Sequence, residues 1–506
     1  MRLTPVTLAL ALMLLALGVR LVGLSMRPLW LDEAYSAWFS SRSWHELWTV
    51  VSTYETHPPF YYSILTLWRY TFGGSAASLR SLSVLFAVLT IPVVIAAAFE
   101  LERQAPSGRA MLRAGVTAFL AACSPMLLVL GQEARPYPLL IFAYALASLG
   151  LLRLFREFQT GPGRWPSWLL LAVGTELSLW AHALGVLYAA CLALALVPAL
   201  LARPLSPPRI ARAMATGACV AILYLPCMLM ILGRTGDWGH GWLSWHWTML
   251  LQLIALYSIP IEALTIGSAL AALVMLLLIK RSLQSGFAAA GWDADRALLL
   301  LWWGPALFAV GISALFMPIF LPRTLAATLV PAYLALAGAV ARVESDRERF
   351  LLSAILVIML LPTAAQVALR PATEPWGQVR AYLERNVKPG DQIWFYPNDS
   401  ALPMREAGLP MLDTRGIPGN YPATGFKGPI RAGSPAVVSL TRKQAEQFVH
   451  SPDARHRRTI WLVTRQSDVF DPAGDLPRAL ASVRLPGKAR EWGYIAVRPY
   501  YAAPSR

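Results

Sequence analysis

Eleven apolar segments, near residues 6–24, 79–99, 114–131, 138–154, 167–181, 184–201, 213–232, 262–280, 298–317, 323–341 and 350–368, dominate the first 370 residues. Crossing the hydrocarbon of a bilayer takes a run of about 20 apolar residues, and the backbone polar groups must be satisfied within the segment. The pattern therefore predicts a polytopic α-helical membrane protein with about 11 transmembrane helices. Composition agrees, with 56% hydrophobic residues and 14% charged, against roughly 25% charged in soluble domains. So much apolar material excludes disorder. A net charge of +16 spread over so few charged residues also argues against a nucleic-acid partner.

Charge placement predicts the orientation. Loops 100–113, 153–166, 202–212, 280–296 and 342–349 carry three Lys/Arg each, and Arg2 makes sixteen, against eight between Arg20 and Arg323 on the opposite side. Lys and Arg in short loops mark the cytoplasmic face of an inner membrane. The N-terminus is then expected in the cytoplasm, with Met1–Leu24 an uncleaved anchor, since no small-residue cleavage site separates it from Arg20 and Arg27. Counting residues 59–74 as a further span would invert every later segment. That stretch is short, opens with Pro58-Pro59 and is rich in Trp and Tyr, which fits an interfacial helix better. Residues 242–258 read the same way.

After the last span the chain turns polar and Pro/Gly-punctuated. A helix is expected at Trp376–Asn386, with β-prone runs at Gln392–Tyr396, Ala436–Leu440, Ile460–Val463 and Tyr494–Val497. These predict a small C-terminal extracytoplasmic α/β domain, 370–506, after a membrane domain, 1–369, whose first external loop spans 25–78. Cys123, Cys191, Cys219 and Cys227 all lie in apolar runs without CxxC spacing. They read as core hydrophobes rather than disulfide or zinc partners.

Ionisable groups at a membrane edge are costly and are therefore functional candidates. Asp32-Glu33, in LWLDEAYSAW, follows the first span among aromatic residues. A carboxylate there can serve as general base, or Asp32 can simply cap a helix with Glu33 in its first turn. His57-Pro58-Pro59 enters the segment with Tyr61 and Tyr62; a fixed backbone aims the imidazole, or the histidine is only an interfacial anchor. In the turn Gln132-Glu133-Ala134-Arg135-Pro136-Tyr137, Glu133 and Arg135 can pair with each other, or Arg135 can receive an anionic headgroup. Arg323 ends the Pro318–Pro322 stretch, as a snorkelling anchor or as a site cation. Arg80, Glu176, His182, Asp237, His240 and His246 are further external-side candidates; the last three have no recognised metal-ligand spacing. Phosphate-loop, Rossmann, GxSxG and HExxH motifs are absent from the sequence, which lowers nucleotide and hydrolase readings.

As an ordered set these residues resemble the C-type (GT-C) membrane glycosyltransferases, specifically the family 39-like branch of protein O-mannosyltransferases and aminoarabinose transferases. The features are LDEAYS at 31–36, HPPFYY at 57–62, FGGSAASLRSLSVLFAVLTIPVV at 72–94, QEARPYPL at 132–139 and PRT at 322–324. The resemblance covers roughly the first 200 residues and the remainder by architecture only. It implies a polyprenyl-phosphate sugar donor and inversion at the sugar carbon, with Asp32, next to Glu33, as catalytic base. It also implies Arg135 and Arg323 as cations for the departing phosphate, and His57 as a headgroup or acceptor contact. Tyr61, Tyr62, Glu133, Tyr137 and His182 are expected to line the substrate site. The loop between the seventh and eighth spans, about 30 residues, is too short for the β-trefoil insert of protein O-mannosyltransferases, so a lipid or cell-envelope glycan acceptor is expected. No cofactor is implied, and a divalent metal stays open. The rival readings are a transporter or lipid flippase, which would favour charges near the bilayer midplane, and an inactive scaffold of the same architecture.

Overall fold

The computed structural model describes residues 4–53, 55–201, 206–233, 245–257, 275–284, 292–410, 413–419 and 440–502. The chain divides into two compact units. The first contains Met1–Leu24, Trp44–Thr235 and Trp242–Arg370, and the second contains Ser25–Ser43 and Pro371–Arg506. The short segment bearing Asp32 and Glu33 thus groups with the C-terminal residues and not with the apolar helices.

In the first unit the apolar segments coincide with the helices Pro5–Leu21, Ala76–Leu101, Ser107–Cys123 with Pro125–Gly131, Tyr137–Glu157, Trp165–Ala181, Gly185–Leu201, Pro207–Leu232, Ala294–Leu315, Leu329–Ala341 and Asp346–Ala368. The 262–280 segment lies largely outside the described residues. Among those described, six helices are long and apolar enough to cross a membrane, or seven if the pair bent by 56° at Ser124-Pro125 is one span. Pro125 supplies no amide to carry the helix through that corner. Side-chain caps set several of the starts, with Ser75, Asp293 and Ser345 accepting the amides of Ser78, Arg296 and Glu348. Helices Tyr137–Glu157 and Trp165–Ala181 meet backbone to backbone. A Cβ on Gly174 would lie 2.4 Å from the Ala147 nitrogen, and one on Gly150 2.5 Å from the Leu171 nitrogen. The Phe60–Phe72 helix has 13 residues, about 20 Å, well short of the roughly 30 Å of a bilayer core.

The five loops rich in Lys/Arg gather at one end of this unit. Arg113 donates to Glu102 at 2.8 Å and approaches Asp295 at 3.9 Å, while Arg342 reaches Asp295 at 2.5 Å. Arg156 pairs with Glu100 and Glu157. Arg209 donates to the carbonyls of Phe158 and Gly161, and Arg212 to that of Gly163. Three of the cysteines are buried, but Cys219 is exposed. It lies on Pro207–Leu232, a helix whose apolar window is only 11% buried, the surface expected of a lipid-facing helix.

The second unit holds a mixed sheet of six strands among the described residues: β1 (Gln392–Tyr396), β2 (Thr414–Gly416), β3 (Thr459–Arg465), β4 (Arg484–Pro486), β5 (Arg490–Trp492) and β6 (Ile495–Ala502). Their order is β2-β1-β3-β6-β4, with β5 also on β6; β1 is parallel to β2 and β3, and the β6 pairings are antiparallel. Alternation sends Trp394, Ile460, Leu462 and Tyr500 into one core, and Ile393, Phe395, Trp461, Val463 and Val497 into the other. With both faces covered, β1 and β3 read as continuous apolar runs. The Trp376–Asn386 helix covers the second face through Trp376, Val379 and Leu383. Most of the β-prone run at 436–440 lies outside the described residues.

Candidate functional site

Two polar clusters emerge, one in each unit. In the helical unit, Glu55 organises the turn before Pro58-Pro59, its Oε1 accepting from the His57 amide at 3.1 Å and from the Tyr62 hydroxyl at 3.2 Å. Arg135 Nη2 donates to His57 Nε2 at 3.2 Å across 78 residues of sequence. The His57 ring stands 4.3 Å from that of His182, and the Tyr137 ring lies 5.6 Å from His182. The Arg135 guanidinium also approaches the Tyr137 ring, at 5.9 Å. Tyr61 is fully buried and meets Tyr62 edge-on at 5.5 Å.

Proline and backbone capping place these groups. Pro125 and Pro136 bracket the corner carrying Glu133 and Arg135, and the Arg135 amide donates to the Glu133 carbonyl at 2.8 Å. Gln132 ties that corner down, donating to the Arg20 and Val22 carbonyls at 3.1 and 2.7 Å and accepting from Arg370 at 2.7 Å. Arg323 opens a 3-10 turn, Pro322–Thr328. Tyr188 donates to the Thr324 carbonyl in that turn at 2.6 Å, and Ser313 accepts the Ile319 and Phe320 amides just before it.

His182 is the informative member. It lies between helices Trp165–Ala181 and Gly185–Leu201 and is 2% exposed. Its Nδ1 accepts the Leu184 amide at 3.0 Å, so a neutral ring carries its proton on Nε2. Burial first, then the charges of Arg135 and Arg323, push its pKa down to about 3. The ring is therefore neutral at physiological pH, and its Nε2 has no hydrogen-bond partner among the described residues. A buried N–H donor beside two guanidinium groups suits an anion.

The second cluster surrounds Asp32. The helix here is Leu31–Phe39 with Trp30 in the cap position, so Asp32 is inside the first turn and does not cap the helix. Glu33, fully buried, reaches back to accept the Trp30 amide at 3.4 Å; the capping role belongs to Glu33, while Asp32 stays half-buried. Glu374 Oε2 accepts the Leu31 amide at 3.0 Å and the Trp376 indole at 2.9 Å, and its Oε1 takes Arg465 Nε at 2.6 Å. The Tyr35 hydroxyl lies 3.5 Å from Asp399 Oδ2. Burial pushes the Asp399 carboxyl up to about 6; Arg465 opposes this and Glu374 and Asp32 add to it.

Glu374, Asp399 and Arg465 lie in no sequence motif, whereas Tyr35 lies within LDEAYS. One signal does exist. Asn398-Asp399-Ser400 follows β1 and Arg465 ends β3, so both lie at the carboxyl ends of neighbouring parallel strands, where open α/β sheets present functional groups.

Of the weaker candidates, Arg80 is buried and donates to the Leu24 carbonyl at 2.7 Å. Glu176 lies within helix Trp165–Ala181, and His246 precedes the Met249–Tyr257 helix. Asp237 and His240 lie outside the described residues. No three His, Cys, Asp or Glu among the described residues group in a way that could hold a metal ion.

No family model matches the sequence, and no curated protein matches it. Solved structures do match. ArnT from Cupriavidus metallidurans in the apo state superposes with a TM-score of 0.61 at 15% identity, covering 97% of this chain and 97% of that one. Its form bound to undecaprenyl phosphate gives 0.60 at 13% identity with the same coverage. The chain has the GT-C fold. The archaeal oligosaccharyltransferase AglB from Archaeoglobus fulgidus, in complex with an inhibitory peptide and a dolichol-phosphate, gives 0.55 at 11% identity over 98% of this chain and 74% of its own. The GT-C likeness extends through the C-terminal unit as well as the apolar helices, since nearly all of the chain is covered.

Proposed function

We propose that the protein is a membrane glycosyltransferase that moves a sugar from a polyprenyl-phosphate donor to a hydroxyl acceptor at the outer face of the cytoplasmic membrane. The supporting observation is His182, a buried neutral imidazole beside Arg135 and Arg323 whose Nε2–H is left to an incoming anion. A lipid-linked phosphate supplies such an anion, and structures of this fold carry undecaprenyl phosphate in ArnT and dolichol-phosphate in AglB.

The acceptor oxygen attacks the anomeric carbon, and Asp32 removes its proton. The bond from that carbon to the phosphate oxygen breaks, its electron pair leaving with the lipid phosphate. Attack opposite the leaving group inverts the sugar carbon. Negative charge on the departing phosphate is met by Arg135, Arg323 and the His182 N–H, with His57 held by Arg135 as a headgroup or acceptor contact. A lipid or cell-envelope glycan is the acceptor class, the N-terminus is cytoplasmic and residues 370–506 are extracytoplasmic.

Purified protein given a panel of labelled polyprenyl-phosphate sugars and envelope lipids tests this reading. Asp32→Asn should lower transfer by about 10²- to 10⁴-fold while undecaprenyl phosphate still binds. Full transfer by this variant removes Asp32 as base; flipping of the donor without transfer replaces the enzyme reading with a transporter.

A further inference from the structure

The second unit contains a device that the catalytic reading leaves without a role. The Leu31–Phe39 helix, nine residues long, carries Asp32 on its first turn and is seated on the carboxyl edge of the C-terminal sheet. The first amides of a helix have no partner within it, and here a distant carboxylate supplies one: Glu374 accepts the Leu31 amide from 343 residues away. Glu374 is itself gripped by Arg465, the last residue of β3, in a pair whose side chains are 4% and 8% exposed. The Trp376 indole holds the same Glu374 oxygen as Leu31 does, at 2.9 Å. Tyr35, one turn along the helix, reaches Asp399 at the end of the neighbouring strand β1. Two contacts on one short helix restrict both its translation and its rotation. A helix of this length does not hold itself in place in water.

From this geometry we infer that the C-terminal domain is a positioning element for the proposed base, with Glu374 and Arg465 as positioning residues that seat the helix bearing Asp32. The inference rests on Asp32 acting as base, and it gives the C-terminal domain a role in the reaction. Misplacing a reacting group by about 1 Å can cost on the order of 10²-fold in rate, so a clamp of this kind acts on turnover and not on substrate affinity.

The test uses the full-length protein in detergent or nanodiscs. Glu374→Ala with Arg465→Met removes both partners together, so neither charge is stranded in the interior. Leu480→Ala, in the core on the opposite face of the sheet, is the control for general weakening of the domain. The double variant should lower kcat about 10- to 100-fold with the KM for the lipid-linked donor within about 2-fold of wild type. Arg465→Lys should recover part of the loss, and the Leu480→Ala protein should keep its kcat below its unfolding temperature. Independently of turnover, amide hydrogen exchange over residues 30–39 should speed up in the double variant and not in the control. Unchanged exchange in that peptide, or an equal loss of kcat in the control, overturns the inference. A wild-type protein that transfers no sugar fails the enzyme reading instead, and the exchange measurement still decides whether the clamp exists.

Discussion

The two ends of the Ala76–Leu101 helix bury charge in opposite ways. Its 26 residues span about 39 Å. At the Glu102 end, cations meet carboxylates: Arg113 and Arg109 on Glu102, Arg342 on Asp295. At the other end, Ser83 donates to the Arg135 carbonyl, and the Arg135 guanidinium points at an imidazole. Arginine on carboxylate inside a protein brings opposite charges together, so each offsets the burial of the other. The Arg135 guanidinium also lies 5.9 Å from the Tyr137 ring, so aromatic groups surround it at this end.

The contrast breaks most sharply if arginines from the two ends are exchanged for neutral residues. Arg113→Met should cost about 3–5 kcal/mol of stability, because Glu102 and the Leu334 carbonyl lose a buried partner. It should leave undecaprenyl phosphate affinity unchanged in whatever protein stays folded. Arg135→Ala should lower undecaprenyl phosphate affinity by about 2 kcal/mol, roughly 30-fold. Both effects are read by thermal unfolding and by lipid-phosphate titration in detergent. If both variants behave alike, the distinction between the two ends fails.

The carboxylate edge of the second unit gives a smaller effect with a definite sign. Asp399 titrates near 6 in the fold against an ordinary 3.8, so between these values the folded state holds more protons than the unfolded one. Its contribution is favourable below about pH 4 and is lost as pH rises through 6, for a total of up to about 3 kcal/mol. Asp399→Asn should therefore stabilise the protein at neutral pH and flatten the dependence of its unfolding midpoint between pH 4 and 7. A wild-type midpoint that climbs over this interval because of Asp399, or a variant less stable at pH 7, contradicts the assignment.

The apolar helices were legible because a bilayer demands continuous apolar runs, and the shared end of the five basic loops was legible because charge bias follows topology. Gln392–Tyr396 and Trp376–Asn386 have the same bounds in the sequence reading and in the structure, since each combines a strong local preference with turn residues at both ends. His57, Arg135 and His182 could be named as candidates from their membrane-edge positions. That the two imidazoles and the guanidinium meet could not be read, because the sequence carries no register between segments so far apart. Asp32 and Glu33 differ by one position, yet their roles separate only through the cap at Trp30, and helix starts are poorly fixed by sequence when no Ser, Thr, Asp or Asn occupies the cap. Glu374 and Arg465 escaped for another reason: their significance lies in one pairing across 91 residues, and each alone is an ordinary charge on a soluble domain.

His182 offers the finest distinction between the two ends of the bundle, because it contributes a dipole where the Glu102 end uses full charges. Its Nδ1 is committed to the Leu184 amide, and its Nε2 has no hydrogen-bond partner among the described residues. His182→Phe keeps a ring against His57 and Tyr137 but removes that donor, and should weaken undecaprenyl phosphate binding by about 1 kcal/mol, roughly 5-fold. The positive potential of Arg135 and Arg323 remains, so the salt dependence of binding should stay as in wild type. Nitrogen-15 histidine spectra should place His182 in the Nε2–H tautomer throughout pH 5–8, since burial and the two arginines hold its pKa near 3. A titration of this ring near pH 6.5 would mean that it carries charge when the phosphate arrives. The site would then bind anions by a third cation instead of a fixed neutral donor, and its affinity would fall as pH rises through that value.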